Sequence, residues 1–194
     1  MILTHYYDQE QGPFKTLSDL SEDEAREVML TINKKGTADR RDLTNLDYLH
    51  QRKEVENWLR SEFIKKGGKP ERKHPHYMII NSCSWLREWY RYPAEISIPF
   101  SKLHPSIVSF TYPDSMISLQ LSQKRNDPVW EPHMRPWHGH VFTLQEIHDV
   151  IREYGFPDEK LFRSDKAYKF EAYIEAQVWS DEPLKDIYTN IEHN

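Results

Sequence analysis

The run Pro128-Val-Trp-Glu-Pro-His-Met-Arg-Pro-Trp-His-Gly-His140 constrains the fold more than any other part of this chain. Its three prolines each fix φ and remove a backbone donor, so for most of its length it can be neither a helix nor a central strand. It must be an irregular segment over a scaffold built elsewhere. Large aromatics and imidazoles on a stiffened loop suit a binding surface, because little side-chain entropy is lost on engagement.

The scaffold has to come from 194 residues, a length that suits a single globular domain over 1–194 with a substantial core. An apolar share of 38% with 29% charged residues gives a well-hydrated surface, and 13% aromatics is too many for a disordered chain. A net charge of −5 argues against general nucleic-acid binding, which draws its affinity from a cationic face. One cysteine, Cys83, excludes an internal disulfide and fits a reducing compartment. No basic region followed by an apolar run opens the chain, and no apolar stretch is long enough to span a bilayer. A cytoplasmic protein without membrane attachment is the expectation.

Three helices are well marked. Ser21 and Glu24 form a capping box before the apolar stripe Ala25, Val28, Met29 and Ile32, with Gly36 as a stop. A second helix is expected from about Asn45 to Lys66, capped by Thr44 and ended by Gly67-Gly68. A third begins at the capping box Thr143–Glu146, carries Leu144, Ile147, Val150, Ile151 and Tyr154 on one face, and stops at Gly155 and Pro157. A short helix from Ser84 to Arg91, ended by Pro93, lies between strand-like runs at 76–81 and 95–100. The runs 107–112 and 116–121 flank Pro113-Asp114-Ser115 and read as a hairpin, and 168–179 alternates as a strand. The fold class is then α+β: a mostly antiparallel sheet of about five or six strands packed by about three helices.

Two places carry candidate chemistry. On the second helix, Arg52 and Glu56 fall within the apolar arc of Tyr48, Leu49, Val55, Trp58, Leu59 and Phe63. Positions four apart touch, so they form a self-satisfied structural pair or leave Arg52 to meet an anionic ligand through its planar fork. In the proline-rich run, Arg135, Trp137, His138 and His140 are the other ligand-binding candidates. If His138-Gly-His140 is extended, both imidazoles share a face about 7 Å apart, and His133 could join His138 and His140 as metal ligands. Pro136–His140 resembles the paired-histidine motif of cupins over five residues. The glutamate that follows three or four positions later in cupins is missing, and Glu146 instead opens a helix.

Other features read as structural. The basic run Lys65–His74 has no P-loop spacing and reads as a solvated loop. Cys83 reads as a buried small residue. Glu171, Glu175 and Gln177 share one strand face, with a solvated surface as the default and a catalytic carboxylate as the alternative. The leading functional expectation is binding, with or without turnover, of a small anionic molecule such as a nucleotide or sugar phosphate. It places Arg52 and the 133–140 segment around one hollow. The alternatives are a non-catalytic interaction domain with an aromatic patch at Trp85, Trp89, Tyr90, Trp130 and Trp137, and a metal-dependent hydrolase or oxygenase using the histidines.

Overall fold

A computed structural model describes residues 1–34, 47–164 and 171–185. Six strands form one antiparallel sheet: β1 (Ile2–Asp8), β2 (His76–Ile80), β3 (Pro93–Pro99), β4 (Val108–Thr111), β5 (Val141–Phe142) and β6 (Glu175–Val178), in the order β3-β1-β2-β6-β4-β5. The α+β expectation holds.

Side chains alternate across a sheet, and the pairings Leu3↔Ile80, Met78↔Ala176 and Phe110↔Ala176 align the apolar set on one face. That face buries Leu3, Ile98, Val108, Phe110 and Val178 against Ile147 of α5 (Leu144–Tyr154). Its reverse carries Thr4, Ile79, Glu175, Gln177, Ser109 and Thr111, all buried as well. The cover there is α2 (Asp47–Lys65) and α4 (Ser115–Gln123), whose Val55, Leu59, Phe63, Met116 and Leu119 pack with Val141 and Trp179. A polar sheet face roofed by helices is the unusual element of this architecture, because each buried polar group there needs a partner.

The helix signals are accurate where they can be followed. Before α1 (Glu22–Lys34), the Ser21 amide donates to Glu24 Oε2 at 2.9 Å. Before α5, the Thr143 amide donates to Glu146 Oε2 at 2.8 Å and the Glu146 amide returns to Thr143 Oγ1 at 3.3 Å. After α2, the Gly68 amide donates to Phe63 O at 3.0 Å and Gly67 takes a φ of +87°. Gly36, Thr44 and Asn45 lie outside the described residues.

Two expectations need correction. The stretch 116–121 is not the second strand of a hairpin but most of α4. Asp114 caps that helix by accepting from the Ile117 amide at 3.1 Å, and β4 finds its partners in β5 and β6. The side-chain cap overrode an alternating pattern too short to decide on its own. The helix at 84 is a single turn, α3 (Ser84–Arg87), with Cys83 at its N-cap. The N-terminal run, unassigned by pattern, is β1 next to the edge strand β3. Strand β6 covers the end of the 168–179 segment, of which 168–170 lie outside the described residues. The run 128–140 is irregular apart from one 3₁₀ turn at Glu131–His133, as its prolines require.

Candidate functional site

Burial of a charge requires partners, and Glu56, 1% exposed, has several. It accepts from Ser18 Oγ at 2.9 Å, His74 Nδ1 at 2.6 Å and the Tyr77 hydroxyl at 3.2 Å. The Arg52 Nε lies 3.2 Å from the same carboxylate, one helical turn away. Arg52 also donates from Nη1 to the Tyr48 hydroxyl at 3.1 Å, and its guanidinium carbon sits 4.3 Å from the Tyr77 ring centroid. Glu56 therefore anchors Arg52 in one orientation from behind.

Arg52 lines a cavity of about 450 Å³ between the polar sheet face and the helices covering it. Tyr77 of β2 and Glu175 of β6 contribute to its lining from the sheet, Asp114 and Ser115 from the start of α4, and Trp85, Trp89 and Tyr90 supply an aromatic wall. A neighbouring hollow of about 620 Å³ shares Arg52, Lys15, His76, Trp89 and Tyr90 with it. The two hollows share a wall, and each is of the size that holds a small organic ligand.

Two carboxyl groups meet in this cavity under different conditions. Glu175 sits on an interior strand. Burial, and then the nearby charge of Asp114, push it up to about 7, against hydrogen bonds from Ser115 and from Gln177 Nε2 at 3.0 Å. Burial also lifts Asp114, while the amides of Ile117 and Met116 at the start of α4 favour its ionised form. Behind Glu175 runs a buried ladder in which Gln177 Nε2 donates to Thr111 Oγ1, Ser109 Oγ to Gln177 Oε1 and Trp179 Nε1 to Ser109 Oγ. The ladder fixes β6 and β4 side chains in place beneath the cavity.

His76 stands opposite Val178 in the sheet, on the alternate face from Tyr77 and Glu175. It is 3% exposed and lines both hollows, its Nε2 lies 2.7 Å from Asp181 Oδ1, and its Nδ1 has no hydrogen-bond partner among the described residues. Orphaned buried nitrogens are uncommon in folded proteins, and among the described residues Arg60, Trp137 and His148, which line neither hollow, carry one as well. Burial holds the His76 pKa below its ordinary value, so the neutral ring is favoured.

The proline-rich segment is elsewhere. Arg135, Trp137, His138 and His140 line neither hollow, so the expectation of one cleft shared with Arg52 is not met. His138 is 1% exposed, accepts the Arg135 amide on Nδ1 at 3.1 Å and stands 2.6 Å from Glu171 Oε1 through Nε2. Trp137 packs on Tyr112 and Tyr154 at centroid distances of 5.2 and 4.7 Å. His140 meets Arg125 at 3.3 Å, while His133 and Arg135 are exposed. Among the described residues no group of three or more His, Cys, Asp or Glu could hold a metal ion. The set His133, His138 and His140 fails because His138 has both ring nitrogens engaged, which leaves no lone pair for a metal.

The aromatics read as one surface patch are also divided. Trp85, Trp89 and Tyr90 are half-buried around the cavity, with Trp85 and Trp89 edge to face at 4.9 Å, Trp137 is packed inward and Trp130 is exposed. Cys83 is buried with its thiol pushed up to about 11 by burial, a structural residue. Among the described residues no helix is long and apolar enough to cross a membrane. No protein-family model matches this chain, and no curated protein or solved structure does so either.

Sequence reasoning singles out Arg52, which lines the cavity, and Glu56, which lies behind it; it holds Glu175 only as the alternative to a solvated face and does not single out Asp114. Asp114 was absorbed into a turn, and Glu175 into a sheet face taken as solvated. The Asp114-Ser-Met-Ile117 cap was the readable signal for the first. Alternation names two faces of a strand without saying whether the second is covered.

Proposed function

We propose that this protein binds a small anionic molecule with a planar or cyclic portion, such as a nucleotide or sugar phosphate, in the cleft beside Arg52. The observation that carries the reading is the preset guanidinium. Arg52 is held by Glu56, Tyr48 and Tyr77 at the margin of a cavity walled by Trp85, Trp89 and Tyr90. A fixed planar fork loses little entropy on pairing with phosphate, and indoles offer stacking faces for a base or sugar ring. Lys15, which lines both hollows, adds a second cation along the cleft.

The test is titration of the purified chain with AMP, ribose 5-phosphate and inorganic phosphate, followed by tryptophan fluorescence and thermal shift. Saturable binding of at least one probe is expected, with the indoles of the wall responding. Arg52→Ala should weaken it by roughly tenfold or more, since a hydrogen bond to a charged group contributes about 1.5–3 kcal/mol. No saturable response to any of the three removes the reading.

A further inference from the structure

The carboxyl pair is not needed to hold an anion, and its placement calls for another role. Glu175 and Asp114 approach the cavity from different elements, an interior strand and a helix start, beside the same guanidinium and aromatic wall. Among the described residues, the groups around Glu175 include Arg52 from α2, Tyr77 from β2, Asp114 at the cap of α4, Ser115 from its first turn, and Tyr173 and Gln177 from its own segment. Arg52 is the single cation among these groups, and Glu56 already stands 3.2 Å from it. Among the described residues, Asp114 is the anion that raises Glu175 and Arg52 the cation that opposes it, in a buried, low-dielectric corner. Two carboxyl groups in unequal surroundings divide the tasks of acid and base.

Resting on the anion-binding reading above, we propose that Glu175 and Asp114 are the acid and base of a hydrolytic reaction at the glycosidic bond of a bound nucleotide or other phosphorylated glycoside. Glu175, protonated, gives its proton to the departing base nitrogen or glycosidic oxygen. The bond from that atom to the anomeric carbon breaks, and its electron pair leaves with the departing group. A water oxygen bonds to the anomeric carbon while Asp114 takes the water's proton. One water is consumed, and a proton passing from Asp114 to Glu175 restores the starting state. Arg52 holds the phosphate and the indoles hold the ring.

The experiment incubates the full chain with AMP, GMP, CMP and UMP and measures release of ribose 5-phosphate, with binding of the same nucleotides measured in parallel. Release of ribose 5-phosphate from at least one nucleotide is expected, falling as pH rises past about 7 because Glu175 must carry its proton. Glu175→Gln should reduce kcat by about a hundredfold or more with KM within roughly twofold, whereas Arg52→Ala should raise KM. Asp114→Asn, which keeps the helix cap, should match Glu175→Gln. Nucleotides that bind without any release overturn this inference and leave the binding reading intact; no binding of any nucleotide overturns this inference, and the binding reading falls with it only if ribose 5-phosphate and inorganic phosphate do not bind either. Should Glu175→Gln fail to fold, the wild-type pH profile decides, and a rate constant from pH 6 to pH 9 overturns the assignment.

Discussion

Glu56 shows how one buried residue can organise a site without lining it. An exposed ion pair four residues apart on a helix contributes only about 0.3–0.5 kcal/mol, and Arg52–Glu56 would be unremarkable on a surface. Here Glu56 also accepts from Ser18, His74 and Tyr77, so its loss leaves several donors unpaired in the interior. Breaking one side of a buried charge network costs about 3–5 kcal/mol. We expect Glu56→Ala to destabilise the fold on that scale in denaturant melts and to release Arg52 from its fixed pose, so that ligand affinity falls as well. Glu56→Gln keeps the shape and acceptor oxygen and should be the milder variant. Equal stability of Glu56→Ala and wild type would show the network to be energetically idle.

At the level of elements, caps and glycines decided what short apolar patterns could not. Asp114 turned an alternating run into α4, and that helix brought the acidic side chain to the cavity. Gly139 performs a different service for the proline-rich segment. Its φ is +72°, and a Cβ there would stand 2.7 Å from the Ser122 backbone, so segment and helix approach too closely for any side chain. We expect Gly139→Ala to lower stability by more than the about 1–2 kcal/mol of left-handed strain, measured by denaturant midpoint. Because the segment is outside the cleft, any Arg52-dependent binding should survive in the folded fraction. Loss of binding in a folded Gly139→Ala protein would reconnect the segment to the site.

Across the whole molecule, the covered polar face has a consequence for pH. Glu175 is pushed from 4.5 up to about 7 in the folded state. A carboxyl with a raised folded pKa binds more protons folded than unfolded between those values, so its contribution to stability is fully present below about 4.5 and is lost as pH rises through about 7. Glu175→Gln should therefore match wild type near pH 5 and be the more stable protein near pH 8, as read by urea melts at the two values. A Glu175→Gln deficit that is the same at both pH values would mean that the native carboxyl is not protonated at the lower one. What the amino-acid order determined unaided was local: two capping boxes, the α2 stripe with Arg52 and Glu56 inside it, and an irregular proline-rich run, all of which depend on neighbours within a turn or two. Strand partners, the roof over the second sheet face and the meeting of Asp114 with Glu175 were decided only by tertiary structure. Those groups lie 61 positions apart by their numbering, and nothing in a strand's alternation says which face another helix will cover.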